Sequence, residues 1–202
     1  MDSPALDIVT LRYGNTNTFL VRGASGSLLV DTGYAGTMQE FYRVLKANKI
    51  RLDQVGWMMA THYHPDHCGL IGRLQSQGLR LLLADSQVEA VHFPDYIFAR
   101  EKREYTPVDP EKATIVSCNE SRLFLERLGI DGEIIRTPSH SADSVSLVLD
   151  NGSCFVGDLE PCEYISAYAD NSPLAADWKL IMAWNPKVIH FAHAPQRAFH
   201  AP

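Results

Sequence analysis

The stretch His62-Tyr63-His64-Pro65-Asp66-His67 places three of the chain's eight histidines and a carboxylate within six residues. Neutral imidazoles and carboxylates are the donors Zn²⁺ takes, and a catalytic zinc keeps one position open. Four donors in one short loop exceed what a single open tetrahedral site draws from one segment. The spacing therefore points to two ions sharing the loop, His62 and His64 facing one, Asp66 and His67 the other. Such a pair can clamp a hydroxide and stabilise a developing oxyanion. A lone histidine is ordinarily a surface or core residue; H-x-H-x-D-H is poorly explained that way.

Further donors must come from elsewhere, and β-like runs end at them. Ser27–Asp31 closes on Asp31-Thr32-Gly33, Val55–Ala60 runs into the histidine cluster, and Ser153–Gly157 stops at Asp158. Lys187–His190 leads to His193, and His140 follows the run Glu133–Arg136. Sites in open α/β sheets lie beyond the carboxyl ends of strands, so these ends are expected to converge. Leu6–Tyr13, Thr18–Arg22, Arg80–Ala84 and Ser144–Leu149 read as further strands, with hairpin turns at Ala24-Ser25-Gly26 and Asp150-Asn151-Gly152. Helical periodicity covers Thr37–Asn48, Gly69–Gln77, Ser117–Leu128 and Leu174–Asn185, with a capping-box pattern at Ser117 and Glu120. Asp85 to Ser117 reads as a long irregular segment, either a pocket wall or a surface excursion.

At 202 residues, 46% hydrophobic and 21% charged, the chain suits one domain with a real core, spanning 1–202. A net charge of −6 offers no footprint for a nucleic-acid backbone. No apolar run is long enough for a membrane span, and Met1-Asp2-Ser3-Pro4 does not begin a signal peptide. The expectation is a cytoplasmic protein acting on a small molecule, without nucleic acid or membrane. Cys68, Cys118, Cys154 and Cys162 form no C-x-x-C pair and are expected reduced. A homodimer is only the base-rate expectation.

In this order, Asp31, the His62–His67 cluster, His140, Asp158 and His193 make the chain resemble a metallo-β-lactamase-fold hydrolase of the small glyoxalase II or lactonase kind, over nearly its whole length. The resemblance implies an α+β four-layer αββα sandwich, two mixed β-sheets flanked by helices, with the site at one edge. It implies one metal on His62, His64 and His140, a second on Asp66, His67 and His193, and Asp158 bridging. Asp31 would brace the histidine loop, and Asp66 would orient or deprotonate the bridging water. The implied cofactor is two Zn²⁺, with Fe or Mn as alternatives that the same donors accept. The implied reaction is attack by a di-zinc-bridging hydroxide on an ester, thioester or lactone. The alternatives are a mononuclear Fe(II) enzyme like the persulfide dioxygenases, a phosphodiesterase on the same dinuclear site, or a binding scaffold on a degenerate fold.

Departures narrow the resemblance. True β-lactamases of the family carry Cys or Ser at the bridging position, here Asp158, and flavodiiron proteins carry Glu where His64 stands. The ribonuclease Z exosite arm is not evident, and nine residues after His193 leave no room for the glutathione-binding domain of glyoxalase II. The lactonase tyrosine three residues past the bridging Asp is replaced by Pro161, which leaves Tyr164 as the substrate-binding candidate. The usual Gly-His-Gly becomes Ala192-His193-Ala194, which requires a negative φ at both alanines, and Ser139 replaces a frequent glycine. His190 is expected in the core or behind the ligands, His92 and His200 at the surface, and Cys68 as a buried thiol. Phe93, Tyr96 and Phe98 are candidates for an acyl pocket or for core packing.

Overall fold

The computed structural model describes residues 6–199, so the expectation for His200 lies outside the described residues, as do the first and last residues of the expected 1–202 domain. Among the described residues, eleven strands form two mixed sheets. The first holds β1 (Asp7–Tyr13), β2 (Thr16–Arg22), β3 (Ser27–Val30), β4 (Trp57–Met59), β5 (Arg80–Ala84) and β6 (Thr114–Val116), in that order. The second runs β11 (Arg197–Ala198), β10 (Val188–Phe191), β9 (Ser153–Gly157), β8 (Val145–Leu149), β7 (Gly132–Arg136). Both proposed hairpins form: β2 pairs antiparallel with β3 through 24–26, and β8 with β9 through 150–152. Gly152, at φ +93, supplies the left-handed residue of the second turn.

Period-two alternation sorts side chains into layers. Phe19, Val21, Leu28, Val30, Trp57 and Met59 face Ile134, Val145, Leu147, Leu149 and Phe155 across the space between the sheets. Their sequence neighbours Leu20, Leu29 and Met58 point outward beneath α1 (Met38–Ala47) and α3 (Ile71–Ser76), which bury Phe41, Leu45, Ile71 and Leu74 there. On the opposite outer face, Cys154, Val156, Ile189 and Phe191 are covered by Leu174, Trp178 and Ile181 of α6 (Ser172–Met182). The result is the expected helix–sheet–sheet–helix sandwich. Among the described residues, no helix is long and apolar enough to cross a membrane.

Three local expectations are corrected. Ser117–Leu128 is not one helix: a 3-10 turn at Cys118–Glu120 precedes α5 (Ser121–Glu126), whose Phe124 and Leu125 pack into the inter-sheet layer. The capping box is absent because the Ser117 hydroxyl donates to the Glu120 carboxylate (2.9 Å) and leaves the backbone uncapped. The 85–117 segment is largely ordered into a 3-10 turn, α4 (Phe93–Arg100) and β6. Pro94 suits the first turn of α4, where no amide hydrogen is needed.

His190 sits between the sheets, 4% exposed, stacked on Phe155 and edge-on to Phe19, with neither ring nitrogen hydrogen-bonded. Burial pushes its pKa down to about 4. The unfolded chain therefore takes up a proton that the fold excludes between about pH 6.5 and 4, and stability falls as pH falls through that window. We expect chelator-treated His190→Phe to lose about 3 kcal/mol less than the similarly treated wild type between pH 7 and 4 in urea melts. Parallel losses in both would show that His190 does not carry this dependence.

Candidate metal centre

Backbone geometry at the ends of β3 and β4 sets the histidine loop. His64 is extended (ψ 150) and caps the single-turn α2 (Pro65–Cys68), with Pro65 at its first position. That turn returns His67 beneath His62, ring centroids 4.0 Å apart. Asp31 follows β3 in the left-handed region (φ +62), which an aspartate tolerates better than a branched residue. Its carboxylate accepts the Thr61 amide (2.7 Å) and the His67 Nδ1–H (3.0 Å). An ionised carboxylate only accepts, so Nδ1 carries a proton and Nε2 of His67 faces inward, a ligand once its own proton is displaced. His193 is oriented the same way by donating from Nδ1 to the Asn15 carbonyl (2.9 Å).

The separated donors converge in two groups. His62, His64, His140 and Asp158 form one, and Asp66, His67 and His193 the other; within each group the candidate ligand atoms lie within 4.8 Å of one another. Asp158 stands between them. Its Oδ2 faces His140 Nε2 (3.7 Å) and His62 Nε2 (4.0 Å), while its Oδ1 faces His67 Nε2 and His193 Nε2 (3.2 Å each). Asp66 Oδ2 lies 3.1 Å from His193 Nε2.

The donor set fits a pair of divalent ions. His62 Nε2, His67 Nε2 and Asp158 Oδ1 are buried without a hydrogen-bond partner. Buried polar atoms left unpaired in this way are costly, and crowded lone pairs become favourable when they share a cation. No described backbone at Ala192 or Ala194 has a positive φ, so both alanines meet the condition for replacing glycine. Asn17 holds that turn by donating from Nδ2 to the carbonyls of Phe191 (3.0 Å) and Ala194 (2.8 Å).

Several supporting residues were not legible in the sequence. Asp143 accepts the Tyr63 amide (2.7 Å), and the Gln87 amide group donates to the carbonyls of Ala60, Thr61 and Asp143. Asp177 of α6 accepts the Ser139 amide (2.7 Å) and so fixes the turn that presents His140. These are isolated polar residues with no motif spacing, and only the fold brings them to the loop.

Two clefts flank the donors. One, of about 390 Å³, opens beside His140 and is lined by Ser139, Glu160, Tyr168, Asp170 and Leu174. The other, about 280 Å³, adjoins Asp66. Tyr164 is 51% exposed and is not part of the first cleft; Tyr168 occupies the position expected of it, donating to Glu160 (2.6 Å). The three aromatics of α4 divide: Phe98 is fully buried core, Tyr96 is exposed, and the Phe93 ring lies 5.5 Å from that of His64. Cys68 is buried as expected, donating to the His64 carbonyl (3.2 Å). His92 is exposed but not alone, since it pairs with Asp95 (2.9 Å).

Without ions the two groups hold protons differently. Burial and the neighbouring His67 push His62 down to about 2. Burial also opposes charge on His67, but Asp31 and Asp158 outweigh it and lift the pKa to about 10. The adjacent carboxylates of Asp158 and Asp66 lift His193 to about 11. Ions must displace these protons, so affinity should rise with pH up to those values. Calorimetry of zinc binding at pH 7 in buffers of different ionisation enthalpy should show release of about two protons per chain. No release would mean that His67 and His193 are not ligands.

Residues 11–193 match the family model described as the metallo-beta-lactamase superfamily. The chain is 26% identical over 182 residues to a beta-lactamase-like protein 2 homolog of Drosophila melanogaster, covering 88% of this chain but 58% of that protein. It is 27% identical over 148 residues to a probable metallo-hydrolase, MJ0888, of Methanocaldococcus jannaschii, covering 72% and 68% of the two chains. Among solved structures, the family protein TTHA1429 of Thermus thermophilus superposes with a TM-score of 0.70 at 19% identity, over 98% of this chain and 75% of that one. TTHA1623, solved in a di-iron-bound form, superposes with a TM-score of 0.68 at 21% identity, over 95% and 94%. Clustered histidines and aspartates at the sheet ends thus form a metal-dependent site on the fold these proteins share, and the chain belongs to the metallo-beta-lactamase superfamily.

Proposed function

We propose that this chain is a dinuclear metal hydrolase that cleaves an ester, thioester or lactone. The observation that carries the reading is Asp158, whose two carboxylate oxygens each face a different donor group. In this assignment His62, His64 and His140 would hold one ion, Asp66, His67 and His193 the other, and Asp158 would serve both. When bound, such a pair lowers the pKa of water and stabilises negative charge on a carbonyl oxygen.

The protein's own groups do the rest. Asp31 and the Asn15 carbonyl fix the tautomers of His67 and His193. Asp66, a third exposed beside the second cleft, takes the proton from the attacking water on its carboxylate. That proton then passes to the alcohol or thiol as the acyl bond breaks. The clefts suit a small-molecule substrate, and we assign no nucleic-acid or membrane partner and a cytoplasmic location. Zinc is the proposed metal. Iron is the second choice because TTHA1623 was solved in a di-iron-bound form.

Zinc-reconstituted protein should turn over members of a panel of lactone, thioester, simple ester, phosphodiester and β-lactam, with turnover confined to the first three. Asp158→Ala and His62→Ala should each lose at least ~100-fold in kcat/KM while keeping the wild-type circular dichroism spectrum. Phosphodiester turnover alone would replace the substrate class. Oxygen consumption by iron-loaded protein, with no hydrolysis, would replace the reaction.

A further inference from the structure

The cleft beside Asp66 is walled by the β1–β2 turn (Asn15, Thr16), the loop after β3 (Tyr34, Thr37) and Arg103 beyond α4. Among the described residues lining either cleft at the metal centre, Arg103 is the only guanidinium or ammonium group. It is held in place rather than loose. Glu101 Oε2 accepts both the Tyr34 hydroxyl (2.8 Å) and the Arg103 Nε–H (3.4 Å), and the guanidinium carbon lies 5.4 Å from the Tyr34 ring centroid. Tyr34 is itself fixed edge-on against the fully buried Phe98, centroids 5.1 Å apart. The Glu101 bond uses Nε alone, and no hydrogen bond engages the two terminal nitrogens among the described residues. A guanidinium steadied at Nε and open at its terminal pair suits the two oxygens of a carboxylate. Glu40, the other charged residue on this wall besides Asp66, is paired with Arg43 (3.6 Å).

We propose that Arg103 is a specificity-determining residue that selects acyl substrates bearing a second, anionic carboxylate, which lies in the cleft on the Asp66 side. The proposal rests on the hydrolase reading above and narrows its substrate class. Glu101 and Tyr34 are positioning residues for the guanidinium.

The test compares mono(4-nitrophenyl) glutarate with 4-nitrophenyl valerate on the zinc-reconstituted full chain, the two acyl groups differing in the terminal carboxylate. We expect wild type to favour the glutarate ester about 10-fold in kcat/KM, the low end for a hydrogen bond to a charged group. The preference should reside in KM and shrink with added salt. Arg103→Ala should bring the ratio to about 1. Arg103→Lys should restore only part of it, because an ammonium lacks the planar fork. Calorimetry with free glutarate and valerate supplies a readout apart from turnover, and glutarate alone should bind about 10-fold more weakly to Arg103→Ala. An unchanged ester ratio in Arg103→Ala, or equal weakening of both acids, would overturn the proposal while leaving the hydrolase reading in place. If wild type cleaves neither ester, the ester arm of the hydrolase reading fails, and the calorimetric comparison alone decides for or against Arg103.

Discussion

One buried carboxylate, that of Asp31, ties the two sheets' shared edge to the chemistry. It is 1% exposed and accepts from the Thr61 amide, the Thr61 hydroxyl and His67 Nδ1. A carboxylate removed from water survives only when its oxygens are so engaged. The same bonds join the end of β3 to the end of β4 and set the tautomer of a candidate metal ligand. Gly157 closes against this brace: a Cβ there would stand 2.5 Å from Thr61 Oγ1, and the residue adopts φ +56. The turn that presents Asp158 can therefore approach Thr61 only because residue 157 has no side chain.

From that brace outward, the site is a collection of groups that oppose one another without ions. Imidazoles crowd at ring separations of 4.0 to 5.3 Å, and two of them, His67 and His193, hold protons against Asp158 that ions must displace. The cost is borne by the surrounding sandwich, whose inter-sheet layer and two helix-covered faces are continuous apolar packing. Rigid strand ends hold the donors while loops and α4 shape the clefts. This division explains how a widely shared fold serves different substrates. Arg103, Tyr168 and Phe93 border the donors without being part of the metal-binding constellation.

The strands were legible because nearly every one alternates or runs apolar between turn residues, and β5 and β9 match their sequence limits. The donors were legible because metal chemistry restricts residue type and spacing, so His62–His67, His140, Asp158 and His193 stood out before their convergence was seen. What escaped notice lacks such restriction. The periodicity of α4 is short and interrupted by Pro94, and β6 is a three-residue edge strand whose residues are largely exposed. Asn17, Asp143 and Asp177 act through contacts between residues 38 to 177 positions apart, which no local pattern records. The Tyr164 expectation followed from position in the chain. The 3-10 segment Cys162–Ala167 instead leaves that ring exposed and brings Tyr168 to the cleft.

The central claim is that Asp158 joins two ions held by separate donor groups. It is tested most directly by anomalous diffraction at the zinc edge from crystals grown with zinc. The account predicts two peaks per chain. One should lie within about 2.0–2.2 Å of His62, His64 and His140 nitrogens and of Asp158 Oδ2, and the other at the same distance from Asp66, His67, His193 and Asp158 Oδ1. A single peak, or two with Asp158 turned away from either, would contradict it.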